Sequence, residues 1–123
     1  MSWRKDQSRD RFFRRAKAEG YRARSAYKLI EIADQHRVLR PGQVVLDLGA
    51  APGSWSQVAL ERVSPGGRVV AVDLQPMARL AGLATIVGDV REASTRAAIR
   101  AALAGPADVV LSDVAPAATG ILV

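Results

Sequence analysis

A continuous apolar run followed at once by a glycine-rich turn is the feature that most constrains the fold of this 123-residue chain. The run is Val44–Leu48, and the turn occupies residues 49–53. Apolar runs without alternation are typical of parallel strands that are buried on both faces. Glycines in such a turn let the backbone approach a ligand closely, and the helix that follows presents free N–H groups. The pattern therefore predicts the first strand–turn–helix unit of a ligand-binding domain.

Strands and helices alternate along the rest of the chain. Ser25 is placed to cap a helix whose apolar residues fall at helical spacing, and Pro41-Gly42 ends that segment with a turn. The other predicted elements are a helix over residues 55–63, strands over residues 68–73, 85–87 and 107–113, and a helix over residues 89–104. This alternation predicts the α/β class, with a doubly wound parallel sheet. Because such sheets normally continue beyond their first strand, we expect the C-terminal strands to be missing from these 123 residues.

The net charge of +6 is concentrated at the start of the chain. Residues 1–40 carry 12 Lys and Arg against 5 Asp and Glu, whereas residues 41–123 carry 6 against 7. Clustered arginines and lysines bind polyanions by displacing counterions from phosphates. A solvated, flexible basic arm explains the same pattern equally well, so the charge leaves both interpretations open.

Several classes of protein are excluded or disfavoured by composition. The chain has no cysteine and a single histidine, His36, so we expect neither disulfides nor a metal site. The lack of cysteine fits a reducing cytoplasm, where we expect the protein to reside. No apolar run approaches the roughly 18 residues that span a bilayer, so we expect no membrane association.

The glycine-rich turn favours a nucleoside ligand that carries no phosphate. The dinucleotide fingerprint needs three glycines, and this turn offers Gly49 and Gly53 only. The Lys-Ser/Thr pair of a phosphate-binding loop is also absent. S-adenosylmethionine is a ligand of this kind, and a generic strand–helix turn is the less favoured interpretation. We therefore predict that residues 47–55, with Asp47 and Gly49, form part of a cofactor site.

Acidic residues end or closely follow three of the predicted strands. Asp73 follows Gly53 by 20 residues, at the place where dinucleotide folds carry the carboxylate that accepts ribose hydroxyls. Asp89 follows the third strand, but it also begins a capping-box pattern with Glu92, so a ligand role and a structural role remain equally open. Asp113 ends the fourth strand beside the topological switch point, where it faces the reacting centre or is an ordinary loop residue.

Lys28 lies in the first turn of the helix that Ser25 is predicted to cap. A lysine in that place is suited to orient a hydroxyl or to help deprotonate it. An exposed helical lysine without a catalytic role is the commoner case, and position alone does not decide between the two.

Four motifs occur along the chain in a specific order. They are DRFFRRAKAEGYRARSAYKL at residues 10–29, VVLDLGAAPGSWSQVALERV at residues 44–63, GGRVVAVDLQPM at residues 66–77 and VVLSDVAPAATG at residues 109–120. Together they closely resemble the FtsJ/RlmE family of ribosomal RNA 2′-O-methyltransferases. The resemblance implies a Rossmann-like methyltransferase fold that uses S-adenosylmethionine to methylate a uridine ribose in large-subunit (23S-type) ribosomal RNA. The implied partner is that RNA or the large ribosomal subunit.

The resemblance also implies roles at the cofactor site. Gly53 and Trp55 would line the site, Asp73 would hold the cofactor ribose, and Asp89 would hold the adenine amino group. Asp113 would lie beside the methyl donor and the target ribose.

A second group of implied roles concerns catalysis and RNA. Lys28 and Asp113 would be the first two members of the family's catalytic Lys-Asp-Lys-Glu set. Arg22 and Arg24, with Lys28, would contact RNA. We accordingly predict that residues 1–24 form a basic arm or helix for RNA contact and that residues 25–123 form a partial methyltransferase domain.

Three departures from the family pattern bear on activity. Ser54 replaces the usual glycine before Trp55, and Ala117 stands where an asparagine usually follows Pro116. The later lysine and glutamate of the catalytic set have no counterpart in these 123 residues, so we expect the chain alone to be weakly active. Alternative hypotheses are a non-catalytic RNA-binding fragment, a related enzyme acting on transfer RNA, and a nicotinamide-dependent oxidoreductase.

Overall fold

The computed structural model of the chain describes residues 19–113, and four parallel strands with three helices make up this part. The elements in chain order are helix α1 (Ala26–His36), strand β1 (Val44–Leu48), helix α2 (Ser54–Val63), strands β2 (Arg68–Asp73) and β3 (Leu83–Val87), helix α3 (Ala93–Leu103) and strand β4 (Val109–Ser112). The sheet order is β3-β2-β1-β4, and every neighbouring pair is parallel. This arrangement confirms the predicted α/β class with a parallel sheet.

The two central strands carry the core because helices cover both of their faces. Val45, Val69 and Leu111 point to one face, where they pack with residues of α1 and α2 such as Leu29 and Val58. On the other face, Val70 and Val72 of β2 pack with Ile99 and Leu103 of α3. The continuous apolar sequence of these strands follows from this double burial.

The chain crosses from β3 to the far side of β1 before it forms β4, so the direction of winding reverses between β1 and β4. Ligands of open α/β sheets bind at the carboxyl ends of the strands near such a reversal. β4 lies at the edge of the described sheet, and its Val110 is 58% exposed.

Two predicted helix starts differ from the structure in detail. Ser25 does occupy the N-cap position of α1, but its side chain makes no capping hydrogen bond. The capping box at Asp89 is wrong, because α3 begins at Ala93 and its N-cap, Glu92, also makes no side-chain capping bond. The side chains of Ser25 and Asp89 instead bind Ser54 and Arg91, respectively.

Helix α1 ends at His36 because Arg37 adopts a left-handed conformation with φ of 51°. The Arg37 N–H closes the helix on the Ala33 carbonyl at 2.8 Å. Within residues 19–113, no helix has the length and apolarity needed to cross a membrane. The interpretations placed on residues 1–18 and on the segment from Pro116 to Val123, Ala117 included, lie outside the described residues.

Candidate functional site

A cavity of about 480 Å³ opens at the carboxyl ends of the strands. All four strands reach it, since its wall includes the ends of β1, β2 and β4 and the residues just after β3. The lining residues are Leu48, Gly49, Val72, Asp73, Leu74, Gly88, Asp89, Val90 and Ser112. Leu74 and Val90 are 67% and 42% exposed, so the cavity has apolar walls that face solvent. Such walls, next to a few fixed polar groups, are typical of a small-molecule site.

The carboxylate of Asp73 connects two loops at the rim of this cavity. Its Oδ2 accepts a hydrogen bond from the Ala51 N–H at 2.9 Å, and its Oδ1 accepts one from the Gln75 N–H at 2.8 Å. An ionised carboxylate has about four acceptor positions. Two of them therefore remain for a ligand after both loops are held.

Asp89 lines the same cavity, but Arg91 occupies its carboxylate. Arg91 Nη2 lies 2.6 Å from Oδ2, and its Nε lies 3.0 Å from both oxygens. The Arg91 backbone N–H adds a bond of 2.9 Å to Oδ1. These hydrogen bonds hold the pKa of Asp89 down at about 2. The side chain that the capping-box hypothesis assigned to the helix thus binds a residue two positions away.

Asp47 lies beneath the turn, where it is 1% exposed. Ser56, in the first turn of α2, donates a hydrogen bond of 2.7 Å to its Oδ2. Burial raises the pKa of Asp47 to about 6 against the opposing effect of that bond, and the charges of Asp113 and Asp73 add to the rise. The carboxyl groups of Asp47, Asp73 and Asp113 therefore lie near enough to interact at the carboxyl edge of the sheet.

The turn over residues 49–53 has the close backbone geometry that its glycines predict. The N–H groups of Gly49 and Ala50 both donate to the Val72 carbonyl, at 2.8 and 3.1 Å. Gly53 is the N-cap of α2 with φ of 112°, a left-handed conformation that favours glycine. The turn is therefore held against β2, beside the cavity.

Helix α1 meets the start of α2 through serine and tryptophan side chains. The hydroxyls of Ser25 and Ser54 lie 2.7 Å apart, and Trp55 Nε1 donates to the Ser25 carbonyl at 2.8 Å. Ser54, which replaces the family's usual glycine, thus supplies the partner for the Ser25 hydroxyl. A crevice of about 50 Å³ lies here and includes Asp47, Gly49, Trp55 and Asp113 in its lining. Gly49 borders both the crevice and the larger cavity, so the two spaces adjoin.

Lys28 forms an ion pair with Asp113, one of the residues that line the crevice. Lys28 Nζ lies 3.5 Å from Asp113 Oδ1 and 6.0 Å from the centroid of the Trp55 ring. The side chains of Lys28 and Asp113 are 65% and 33% exposed, so both can reach a bound molecule. The structure therefore brings the two residues of the implied catalytic set together.

Arg22 and Arg24 occupy different environments. The two terminal guanidinium nitrogens of Arg22 donate to the carbonyls of Pro52 and Arg79, at 3.0 and 2.9 Å. Arg24 is exposed and lines a surface cavity of about 350 Å³ together with Lys28. The guanidinium of Arg22 thus forms hydrogen bonds within the protein, whereas the side chain of Arg24 faces solvent.

Sequence reasoning did not identify four residues that shape this site: Ser56, Leu74, Val90 and Arg91. For Leu74 and Val90 a signal exists, because each is an apolar residue that directly follows an Asp at or just after the end of a strand. No sequence pattern indicates the Arg91 contact in advance. In the described part of the chain, no group of three or more His, Asp or Glu residues is arranged to hold a metal ion.

The comparison with family models decides which family this site belongs to. The model of the FtsJ-like methyltransferases matches residues 21–123, which include every residue of the site described above. The chain belongs to this family. Among solved structures, an FtsJ-like fold is shared with a Plasmodium falciparum protein described as a ribosomal RNA methyltransferase, at a TM-score of 0.73 and 29% identity. The alignment covers 82% of this chain and 60% of that one.

Curated relatives of this family member carry the name ribosomal RNA large subunit methyltransferase E. The relative from Azoarcus sp. (strain BH72) is 51% identical over 98% of this chain, and that from Nitrosomonas europaea is 52% identical over 99%. The chain spans 59% and 60% of the length of these two relatives.

Proposed function

We propose that this chain binds S-adenosylmethionine and takes part in 2′-O-methylation of a uridine ribose in large-subunit ribosomal RNA. The observation that carries the proposal is a carboxylate-rimmed cavity next to a crevice lined by Asp113, the ion-pair partner of Lys28. The cavity suits the methyl donor and the ion pair suits the hydroxyl that accepts the methyl group. The family and the names of its relatives support the reaction class.

The cavity fits an adenosyl group in both shape and chemistry. The two acceptor positions left on Asp73 match the two hydroxyls of a ribose. Leu74 and Val90 are exposed apolar side chains, and covering them with a flat purine ring would remove apolar surface from water. Asp89 can accept from an exocyclic amino group only if Arg91 gives up part of its present contact.

Lys28 and Asp113 would act on the target ribose. S-adenosylmethionine, when bound, supplies a methyl group on a sulfonium and leaves as a neutral thioether. An ammonium group has three N–H donors, so Lys28 can bind Asp113 and still direct another N–H to a ribose oxygen. Holding the hydroxyl in attack geometry contributes several kcal/mol. The Asp113 carboxylate would accept the hydroxyl proton as the methyl group is transferred, and such base catalysis contributes roughly 10²–10⁴-fold in rate.

The basic arm, residues 1–24, would bind the RNA and bring it to the site. We propose that residues 1–24 contact RNA while residues 25–123 form the methyltransferase part. Arg24 and Lys28 line an exposed concave surface that lies beside Asp113, and arginine binds phosphates through two parallel N–H bonds. Arg22 contributes to this surface through its charge, since its terminal nitrogens bind backbone carbonyls.

Two measurements on the purified chain test the proposal. Calorimetric titration with S-adenosylmethionine should give saturable binding, NAD should give none, and Asp73→Ala should abolish the signal. Incubation with large-subunit RNA and a tritium-labelled methyl donor, followed by nucleoside analysis, should place the label in 2′-O-methyluridine. Label in transfer RNA alone would redirect the substrate assignment. RNA binding without affinity for S-adenosylmethionine would replace the enzyme with a non-catalytic RNA-binding module.

A further inference from the structure

We propose that Arg22 is a positioning residue that holds the turn over residues 49–53 in the shape required by the cofactor site. The identity of that cofactor rests on the proposed function, whereas the holding of the turn does not depend on it. Arg22 lies in the basic arm (residues 1–24), but the hydrogen bonds of its guanidinium are directed toward the turn and not toward solvent.

The guanidinium of Arg22 joins two segments that are far apart in sequence. Nη1 donates to the Pro52 carbonyl within the turn at 3.0 Å, and Nη2 donates to the Arg79 carbonyl at 2.9 Å. Arg79 belongs to the connection between β2 and β3, which also carries the cavity residue Leu74. One side chain therefore ties the turn on one side of the cavity to the connection on another.

Gly53 leaves the space that this guanidinium occupies. A Cβ built at Gly53 would lie 2.7 Å from Arg22 Nη1 and 3.3 Å from its Cδ. Gly53 is favoured here by its left-handed backbone, and its lack of a side chain leaves room for the Arg22 guanidinium. The turn and the arginine fit each other, which is what a positioning contact needs.

The backbone around Arg22 is fixed from below by α2. Gln57 accepts a hydrogen bond from the Arg22 N–H at 2.8 Å and donates one to the Gly20 carbonyl at 2.9 Å. These two bonds hold the backbone at Arg22 beside the first turn of α2, so the position of its Cα is fixed. This fixed origin lowers the entropic cost of aligning a long side chain with two carbonyls.

Lysine cannot replace this contact. The planar guanidinium presents several N–H donors in a rigid fork, whereas an ammonium is a point charge that reaches one carbonyl well and the other poorly. The conservative variant Arg22→Lys therefore separates the bridging geometry from the positive charge.

Amide hydrogen exchange in the ligand-free chain is the direct test. The N–H groups of Gly49, Ala50 and Ala51 are hydrogen-bonded in the turn, so their protection reports its shape. In Arg22→Ala, protection of these three amides should fall by about tenfold, the scale of one lost charge-assisted hydrogen bond. Amides of Val45 and Val70 in the core strands should change by less than twofold. In Arg22→Lys, protection of the amides of residues 49–51 should lie between that of the wild type and that of Arg22→Ala.

Arg62→Ala is the matched control. It removes the same charge from an arginine whose guanidinium binds Asp34 at 2.7 Å instead of the turn. Exchange at residues 49–51 should match the wild type in this variant. Unchanged exchange in Arg22→Ala, equal loss at turn and core, or wild-type behaviour of Arg22→Lys would each overturn the proposal.

Cofactor titration then connects the turn to the site. Arg22→Ala should weaken S-adenosylmethionine binding by about tenfold, while Arg62→Ala should stay within twofold of the wild type. A wild-type chain that binds no S-adenosylmethionine would refute the proposed cofactor, and the exchange data would still decide the role of Arg22. Loss of protection in the turn with unchanged cofactor affinity would show that Arg22 orders the turn without positioning it for the ligand, which would also overturn the proposal.

Discussion

Lys28 Nζ lies 3.5 Å from Asp113 Oδ1, although 85 positions separate the two residues in sequence. The pair is partly exposed, and pairs of this kind contribute only about 0–1 kcal/mol to stability. Because the ion pair contributes so little to the stability of the protein, substitution of either residue should leave the fold largely intact and report on function.

Replacement of Lys28 by alanine should slow methyl transfer by about 100-fold or more, because the ribose hydroxyl loses a donor that orients it. Affinity for S-adenosylmethionine should stay within about threefold, since Lys28 does not line the large cavity. Single-turnover transfer and calorimetry on the same preparation measure the two quantities. Equal losses in both would place Lys28 in cofactor binding instead.

Replacement of Asp73 by asparagine should weaken S-adenosylmethionine binding by at least about tenfold. The asparagine amide turns one acceptor into a donor and directs it at the Ala51 or Gln75 N–H, so a loop contact is lost along with a ribose contact. Asp34→Asn is the control, because Asp34 pairs with Arg62 and does not line the cavity. Undiminished affinity in the Asp73 variant would remove this residue from the cofactor site.

Replacement of Arg91 by alanine should tighten S-adenosylmethionine binding by about threefold. The Arg91 side chain is 86% exposed, so its contact with Asp89 adds little stability while it occupies the acceptor positions of that carboxylate. Titration of the variant beside Arg100→Ala, a surface change on α3, measures the effect. Weaker binding in Arg91→Ala would mean that the arginine supports the ligand instead of competing with it.

The buried carboxyl of Asp47 should make folding stability fall as pH rises from about 4 to 6. The folded-state pKa is raised from 3.8 to about 6, so between these values the folded chain holds a proton that the unfolded chain has released. The stabilisation from this proton is fully present below the unfolded pKa and lost as pH passes the folded one. By linkage the loss is on the order of 3 kcal/mol.

Asp47→Asn tests this expectation, since the variant cannot ionise at the position. Urea unfolding of both proteins at pH 4, 5, 6 and 7 gives the difference in free energy of unfolding at each pH. That difference should shift in favour of the variant as pH rises and level off above about pH 6. A difference that stays constant across the range would show that Asp47 ionises in the folded chain as easily as in the unfolded one.

The strands could be predicted closely because their signals are local. β1 and β2 occupy the residues that their apolar runs indicate, and β2 ends at Asp73 as predicted. β3 is longer than the predicted residues 85–87, since Leu83 and Ala84 pair with Val69 and Val70 although Ala84 is exposed. Pairing in the sheet thus extends a strand beyond its apolar residues.

The polar contacts of the site could not be predicted from local sequence. Ser25 is a good capping residue by type, but the hydroxyl of Ser54 competes for it, and that residue lies 29 positions later. Asp89 has the residue type and spacing of a capping box, yet its carboxylate binds the guanidinium and the backbone N–H of Arg91 and does not cap the helix. Which partner a short polar side chain chooses depends on the tertiary distances, and these are fixed by the packing of α1 and α2 on the sheet.

The two loop contacts of Asp73 limit how this site can be redesigned. Binding a synthetic cofactor with an altered sugar would require a different residue in place of Asp73. That replacement would also remove the hydrogen bonds that hold the Ala51 and Gln75 loops. Leu74 and Val90, whose side chains hold no loop in place, are the positions at which directed evolution should find acceptance of analogues with a modified base. Libraries built at those two residues, with the carboxylate left in place, should therefore give a higher fraction of folded variants than libraries built at residue 73.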